Sequence, residues 1–352
     1  MNNLLSVTII VCICWGVLSQ DSPAFTFKRQ GIVFLDSSTT KVAPLVFKGK
    51  LSLQETALAT PIVGVLKEAD GSRLFQPLVP FSLGQEYSMV YNHQIFHLKV
   101  AIPEDYKHIT VKSIYPTAKT LPSNILKVHI QFSGPINLVD VYRHIQFFDE
   151  GGTPMSQAIL PLENVLVSED ETLLTLWIEP GRQKRGLSPN EALGVVFKEG
   201  KSYSMIVSKQ LKDKNGVPLF KDFEHRFTIG KADRIQPDIR SWKIKVPAKN
   251  SSIHLVIDCD DQLDYVSVTN KILIIDPNER RVRGTWMVGG SDRRLIFEPE
   301  SPWVGGNYQL FIDEKLDDLA GNNLMRLFDS EITKDRETAM QAKQRKLSFY
   351  IE

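Results

Sequence analysis

Alternation of apolar and polar residues is the dominant pattern along this chain after residue 23. In the segment TLLTLWI (172–178), leucine or isoleucine occupies positions 174, 176 and 178, whereas the positions between them are mixed. Similar short runs rich in Val, Ile, Phe and Tyr recur along the chain, separated by turns of Pro, Gly, Asn and Asp. A strand with one apolar and one mixed face belongs to an antiparallel sheet packed on a single side. The pattern therefore predicts an all-β protein.

Two long segments match one another in order, which indicates an internal repeat. RHIQFFD (143–149) corresponds to NKILIID (270–276), and LWIEP (176–180) corresponds to LIFEP (295–299). Each segment then contains Gly-x-x-Tyr followed by Asp-x-x-Gly at the same separation. Several ordered matches at similar spacing are hard to obtain by chance, although any one of them alone would mean little.

A shorter copy of the same pattern precedes the two long ones. FQPLVPFSLGQEY (75–87) matches FEPESPWVGGNY (297–308), but no Asp-x-x-Gly follows its tyrosine. The repeat predicts three domains, a divergent one at 23–104 and two fuller ones at 111–230 and 234–352. Six or seven strands in each long copy, with no room for crossover helices, are typical of an immunoglobulin-like sandwich.

The repeated tyrosine and Asp-x-x-Gly are interpreted as a structural corner that needs no ligand. A tyrosine near the start of a late strand can bury its ring and bond its hydroxyl to the backbone. The aspartate then accepts backbone N–H bonds in a turn, and the glycine supplies a position with positive φ. The residues assigned to this structural turn are Tyr203, Asp213 and Gly216 in one copy and Tyr308, Asp318 and Gly321 in the other.

The order of these features resembles the bacterial Ig-like domain of the S-layer-protein (SbsA) type, present in tandem copies. KLDDLAGNNL (315–324) carries the most specific part of the resemblance. The resemblance implies tandem immunoglobulin-like antiparallel β-sandwiches that serve as spacers or appendages of surface proteins. Residues 329–346 depart from the family pattern, and their charge and Ala, Gln and Lys content predict a short inserted helix near the C-terminus.

One long apolar run, LLSVTIIVCICWGVL (4–18), lies at the start of the chain. At about 15 residues it suits a signal-peptide core better than a membrane-spanning helix, which needs roughly 20. We therefore expect residues 1–19 to be removed as a signal peptide, with no membrane insertion afterwards, leaving a secreted, periplasmic or cell-surface protein. An uncleaved anchor stays open as the alternative, because Met1, Asn2 and Asn3 contribute no Lys or Arg.

Charge excludes some classes of partner. Forty-two Lys and Arg residues against 41 Asp and Glu residues leave a net charge of +1, which creates no global field for nucleic acid. Cleavage would leave Cys259 as the single thiol, and its acidic neighbours favour an inert, half-buried side chain. We expect the partner to be an envelope protein or a glycan, whose identity the sequence does not determine.

Two acidic clusters are the only candidates for a metal site. Calcium prefers six to eight oxygen ligands, which carboxylates at the end of a sandwich could supply. Aspartate is also a common turn residue and the spacing fits no EF-hand, so we favour solvated turns and predict no cofactor. The weak calcium candidates are Asp258, Asp260, Asp261, Asp317 and Asp318.

Trp177 is the candidate glycan contact, since an exposed tryptophan can stack on a sugar ring. The matching positions in the other copies are Leu74 and Ile296, which favours burial against a neighbouring surface instead.

Catalytic motifs are absent from the sequence, which has no H-E-x-x-H, no G-x-S-x-G and no phosphate-binding loop. We therefore expect a non-catalytic structural or interaction protein of the bacterial envelope or exterior. Two alternatives stay open: an array of carbohydrate-binding modules, or accessory domains of a secreted hydrolase.

Overall fold

The computed structural model describes residues 25–34, 43–69, 72–329 and 344–352. The chain divides into two compact units. Unit 1 takes the residues up to His108 together with Lys212–Leu219, and unit 2 takes Ile109–Leu211 with Phe220–Glu352. The predicted signal peptide, residues 1–19, lies outside the described residues. In those residues there is no helix with the length and apolar character needed to cross a membrane.

The first sandwich, in unit 1, consists of two antiparallel sheets ordered β1-β2-β5-β4 and β3-β6-β7. Lettered A to G along the chain, these sheets are ABED and CFG, which is the immunoglobulin constant-type arrangement. Buried side chains from both sheets, such as Ile32 and Met89, share one core. Its elements are β1 (Phe25–Lys28), β2 (Gly31–Phe34), β3 (Leu45–Lys48), α1 (Leu53–Thr56), β4 (Gly64–Ala69), β5 (Ser72–Pro77), β6 (Glu86–Tyr91) and β7 (Gln94–Lys99).

The second sandwich, in unit 2, has sheets ordered β12-β14-β10-β8 and β11-β15-β16-β9, with β13 also paired to β14. Its short β9 pairs parallel to β16, whereas the other pairs are antiparallel. Its strands are β8 (Val111–Tyr115), β9 (Thr120–Pro122), β10 (Lys127–Phe132), β11 (Ile145–Asp149), β12 (Ile159–Leu160), β13 (Leu166–Val167), β14 (Leu173–Ile178), β15 (Ser202–Val207) and β16 (Phe223–Gly230). Helices α2 (Pro180–Gln183) and α3 (Ser188–Leu193) lie between β14 and β15, and a 3-10 turn covers Val141–His144.

The third sandwich, also in unit 2, repeats the ABED and CFG arrangement as β17-β18-β21-β20 and β19-β22-β23. Trp286, Trp303 and Tyr308 are buried in its core, and the buried ring of Tyr308 agrees with its interpretation as part of a structural corner. Its elements are a 3-10 turn (Ile239–Ser241), β17 (Lys243–Lys245), β18 (Leu255–Asp258), α4 (Tyr265–Lys271), β19 (Ile272–Ile275), β20 (Gly284–Gly289), β21 (Arg294–Pro299), β22 (Gly306–Asp313) and β23 (Gln344–Ile351).

The predicted fold class is confirmed: the protein is all-β, built of tandem immunoglobulin-like antiparallel sandwiches. In β14 every second residue is buried, with Leu174, Leu176 and Ile178 fully inside, as the alternation predicts. Four short helices that the pattern does not indicate occupy connections between strands. Three of them begin at a capping side chain: Ser52 forms a capping box with Glu55, Glu179 accepts from the backbone N–H of Gly181, and Asp264 accepts from that of Ser267.

The predicted charged insertion at 329–346 is wrong at its C-terminal boundary. Residues 344–346 belong to β23, where they pair with 311–313 of β22. The ammonium of Lys346 lies 4.6 Å from the centre of the Phe311 ring, so the strand uses a charged residue to cover an aromatic one. Residues 330–343, where the helix was expected, lie outside the described residues.

A tyrosine corner recurs in all three sandwiches. The hydroxyl of Tyr87 accepts from the backbone N–H of Ser82 at 2.7 Å, and that of Tyr203 accepts from Lys198 at 2.9 Å. The Tyr308 hydroxyl lies 3.1 Å from both the N–H and the carbonyl of Val304. Each ring is buried, so the bond ties the connection between the two sheets to a late strand.

Replacing Tyr308 with Phe should lower the free energy of unfolding by about 1–3 kcal/mol, because the partly buried hydrogen bonds between the Tyr308 hydroxyl and the Val304 backbone are lost. Trp177, Trp242, Trp286 and Trp303 belong to unit 2 and Trp15 lies in the predicted signal peptide, so tryptophan fluorescence of the chain without residues 1–19 reports on unit 2 during urea unfolding. Tyr350→Phe is the matched control, since Tyr350 is 59% exposed on β23. Equal losses in the two variants would contradict the structural role of the corner.

Candidate functional site

The densest group of buried charges in unit 2 lies where the second sandwich meets the third. From β10, Lys127 reaches Asp317 at 3.0 Å and Asp264 at 3.9 Å, while Nε2 of His129 lies 2.7 Å from Asp264 Oδ2. Residues 127 and 129 point the same way because side chains alternate along a strand. Asp264 is fixed at the start of α4 by accepting from the Ser267 N–H at 2.8 Å. This N-cap position directs the Asp264 carboxylate toward the second sandwich.

Neighbouring charges favour the ionised forms of Asp264 and Lys127 in this contact. Burial by itself would raise the pKa of Asp264, but His129 and Lys127 outweigh burial and hold that pKa below its usual value. Burial likewise opposes the charge of Lys127, and Asp264 and Asp317 more than offset it, so the pKa of Lys127 is raised. Removing one partner of such a pair leaves an uncompensated buried charge, which typically costs about 3–5 kcal/mol.

The same contact has the connectivity of a hydrolytic triad. Nδ1 of His129 lies 2.9 Å from the Thr175 hydroxyl, on the opposite side of the ring from Asp264. However, His129 is 1% exposed and Asp264 is 3% exposed. A substrate has no access to the imidazole, so the arrangement serves docking rather than proton transfer.

A second buried carboxylate fastens the connection between β8 and β9 to the third sandwich. Asp292 Oδ1 accepts from the N–H and hydroxyl of Thr117, each at 2.9 Å, and Oδ2 accepts from the Ala118 N–H at 2.8 Å. Burial raises the pKa of Asp292, although these three bonds work against the rise. Nothing in the sequence indicates this role, since a lone aspartate in a turn is commonplace.

The two Asp-x-x-G turns have the geometry expected of an Asx-type turn. Oδ1 of Asp318 accepts from the N–H groups of Ala320 and Asn322, each at 2.8 Å, and Gly321 has φ of +78°. Oδ1 of Asp213 accepts in the same way from Asn215 and Val217, and Gly216 has φ of +85°.

Each turn also packs on a sandwich, a role that the sequence interpretation omitted. In unit 2 the Leu319 carbonyl accepts from the Leu126 N–H at 2.9 Å, and Gly321 faces the Leu126 side chain. In unit 1 the Asn215 carbonyl accepts from the Leu83 N–H at 2.8 Å, and Val217 joins the core of the first sandwich. The repeat contained a signal for this packing role. Each Asp-x-x-Gly turn contacts the sandwich formed by the copy before it in the chain, and the first copy has no such turn.

Three carboxylates come together beside the Asp318 turn. Asp233, Asp261 and Asp318 have oxygens within 4.8 Å of one another, and Asp318 is 2% exposed. Burial, followed by the charge of Asp261, raises the pKa of Asp318; burial, followed by Asp233, raises that of Asp261. Oδ2 of Asp261 is buried without a hydrogen-bond partner. Three carboxylates fall short of the six to eight oxygens that calcium prefers, so bound protons are the simpler means of relieving the repulsion.

The other calcium candidates do not belong to this cluster. Asp258 forms ion pairs with Arg294 at 2.6 Å and Lys245 at 2.7 Å, and Asp317 forms one with Lys127 at 3.0 Å. Asp260 is exposed. The sequence therefore singled out two of the three clustered carboxylates, Asp261 and Asp318, and missed Asp233, which lies in the linker before the third sandwich.

Trp177 is half-buried on β14, directly opposite Lys127 on β10. The Lys127 ammonium lies 5.2 Å from the centre of its ring. A cation over the ring competes with a sugar for that face. The glycan contact at Trp177 stays a prediction.

Comparisons with known proteins find only distant likenesses. No family model matches the chain, and no curated protein matches it. The N-terminal part of the bacterial S-layer protein SbsC is 13% identical, over 70% of this chain and 44% of that structure, with a TM-score of 0.25. Domains MG0-NIE-MG1 of Escherichia coli alpha-2-macroglobulin are 11% identical over 70% of this chain and 91% of theirs, with a TM-score of 0.23. The FN1–FN3 domains of chicken CNTN1 are 11% identical over 94% and 97%, with a TM-score of 0.19.

The chain thus spans less than half of the SbsC structure that it matches. With TM-scores of 0.25 or below, the immunoglobulin-like assignment rests on the strand order of each sandwich, and the likenesses add no argument about activity.

Gly321→Ala should destabilise unit 2 by more than its backbone conformation alone explains. A Cβ at this position would lie 2.3 Å from Cδ1 of Leu126, so either the buried Leu126 side chain or the turn would have to shift. Gly186→Ala is the control: its φ is +75°, and a Cβ there meets nothing within 4 Å. We expect a loss of about 1–2 kcal/mol for Gly186→Ala and a further 1–3 kcal/mol for Gly321→Ala in urea unfolding. Equal losses would show that the turn is not a docking element.

Asp261→Asn should stabilise the protein at pH 8. The pKa of Asp261 is raised to about 6 in the folded protein, above its unfolded value, so folding stability is lost as pH rises from about 4 through 6. An asparagine keeps the oxygen that accepts from the Gln262 N–H and gains a donor toward the cluster. We expect a gain of about 1–3 kcal/mol at pH 8 that disappears below pH 4, measured by urea unfolding.

Asp260→Asn, at an exposed carboxylate next to this position, is the matched control and should change little. A calcium-dependent rise in the melting temperature of the native protein that Asp261→Asn abolishes would contradict the interpretation that bound protons relieve the repulsion in this cluster. The cluster would then be a calcium site.

Proposed function

We propose that this protein is a non-catalytic structural or interaction element of the bacterial envelope or exterior, built from immunoglobulin-like modules. One observation carries the proposal: charged groups that could have formed an active site are buried in a contact between modules. His129, Asp264 and Lys127 are used in this way within unit 2.

This use of charge suits a load-bearing or positioning role. Buried ion pairs add little net stability compared with apolar packing, but they require one geometry, because any misplacement leaves charges unpaired. The bonds of Asp292 to Thr117 and Ala118 add a second fixed point in the same contact. Two modules joined at several polar points keep a defined orientation, which a spacer or a presenting scaffold needs.

Export is supported by the sequence and by the state of the remaining cysteine. The apolar run at 4–18 predicts a signal peptide, and cleavage would leave only Cys259. Cys259 is buried, and burial raises the pKa of its thiol, so the group is poorly reactive. A protein with one inert thiol tolerates an oxidising compartment without forming unwanted disulfides.

Cell fractionation of the full chain carrying a C-terminal tag tests the proposal. We expect the protein in the periplasm, on the surface or in the medium, with mass spectrometry showing an N-terminus at Gln20. Cytoplasmic protein that retains residues 1–19 would overturn the location. Turnover of polysaccharide or ester substrates by the purified chain would overturn the non-catalytic assignment and favour a secreted hydrolase.

An array of carbohydrate-binding modules is the second candidate function. It is favoured by the partial exposure of Trp177 beside Lys127 on the outer face of β14 and β10. Binding on a glycan array that is lost in Trp177→Ala but kept in Thr175→Ala would support it. Binding that survives Trp177→Ala would place any glycan site elsewhere.

A further inference from the structure

A groove of about 710 Å³ opens along one side of the third sandwich. It lies between β19 and β20, which are edge strands of the two sheets. We call it the arginine groove and define it by the lining residues Thr269, Arg281, Arg283, Thr285, Trp286 and Glu300. Its size falls in the range of about 300–1,000 Å³ that is usual for ligand sites.

The arginines come from the sequence RRVR (280–283), which runs between β19 and β20. Val282 packs against the core of the third sandwich. Because side chains alternate in an extended chain, Arg281 and Arg283 then face away from the core, and both line the groove. Within the described part of the chain, neither guanidinium forms an ion pair. Two exposed guanidinium groups on one wall are suited to carboxylate or phosphate groups, which they can bind with two parallel hydrogen bonds.

The edge of β19 beside the groove is already occupied, which argues against a peptide adding there as a strand. The Ile274 carbonyl accepts from the Val282 N–H at 2.8 Å, and the Ile272 carbonyl accepts from the Trp286 indole N–H at 3.3 Å. A peptide that extends a sheet needs such backbone groups to be free. The groove therefore has to recognise its ligand through side chains.

The remaining polar lining suits a hydroxyl-rich ligand. Thr285 offers a hydroxyl that can both donate and accept, and the Thr269 hydroxyl, which donates to the Val266 carbonyl at 3.0 Å, can still accept. Trp286 contributes a mostly buried aromatic floor. Glu300 is the one acidic residue among those that line the groove, so the cations outnumber it.

We propose that the arginine groove binds an anionic polysaccharide, with Arg281 and Arg283 contacting its carboxylate or phosphate groups and the threonines contacting its hydroxyls. The inference rests on the proposed function as an interaction element and names the chemistry of its partner. Carboxylated and phosphorylated glycans share this chemistry, and the binding experiment separates them.

The experiment measures binding of the purified full chain to four probes at low salt: oligogalacturonate, a glycerol-phosphate polymer, neutral dextran and poly-L-glutamate. We expect at least one of the two anionic glycans to bind, dextran not to bind, and poly-L-glutamate to bind more weakly. Binding should weaken as salt is added, because the arginines are exposed. Which anionic glycan binds identifies the charged group.

Variants locate the site. Arg281→Gln and Arg283→Gln, each made singly, should weaken binding by about fivefold, whereas Arg280→Gln, which removes the same single charge outside the groove lining, should alter it by less than about twofold. Glu300→Gln should tighten binding, since it removes the one negative charge in the lining. All four of these residues are exposed, so unchanged urea unfolding serves as the folding control.

Three outcomes would overturn the proposal. Binding to poly-L-glutamate that equals or exceeds binding to both anionic glycans would indicate an acidic protein partner. Equal weakening by Arg280→Gln would indicate nonspecific attraction of polyanions. No binding to either anionic glycan would remove the inference. In that case, correct export of the chain would leave the proposed structural function intact.

Discussion

The contact between His129 on one sandwich and Asp264 on the next is the constraint on which the rest of unit 2 depends. Both groups are almost fully buried, so neither can be satisfied by water if the sandwiches separate partly. Lys127, on the same face of β10, forms an ion pair with Asp317, so the contact is a small network instead of a single pair. A network of this kind has few intermediate arrangements, because each charge depends on a neighbour from the other sandwich.

The Asp-x-x-G turn shows how one local motif serves two levels of structure. Its aspartate satisfies N–H groups inside the turn, and its glycine adopts a conformation that other residues resist. The same glycine also allows the backbone to approach Leu126 more closely than a Cβ would permit. Close approach and positive φ both favour glycine at this one position, so the turn and its packing on the second sandwich depend on the same residue.

Charge is distributed unevenly within the third sandwich. Three of its buried carboxylates, Asp264, Asp292 and Asp318, lie at the contact with the second sandwich, where each accepts hydrogen bonds. Its exposed arginines, 281 and 283, lie along the groove between β19 and β20 instead. The near-neutral total of +1 hides this separation, because a sum over the chain carries no information about position.

The sequence by itself determined the class of the fold and much of its detail. Alternation in β14 fixed which residues are buried, since the period of a strand is a local property of the backbone. The repeat likewise located the tyrosine corners, because their hydrogen bonds join residues four or five positions apart.

Only the tertiary structure decided what lies at the junction. Asp233, Asp261 and Asp318 are far apart in the chain, and so are His129 and Asp264, so no spacing rule connects them. His129 and Asp264 meet because the second and third sandwiches dock, and docking depends on surface complementarity that a periodic pattern does not record. Asp261 and Asp318 meet within the third sandwich, where the Leu319 N–H donates to the Gln262 carbonyl. For the same reason the sequence could present Asp258, Asp261 and Asp317 as one kind of residue, while the fold made the first and last ion-paired and left Asp261 beside other carboxylates.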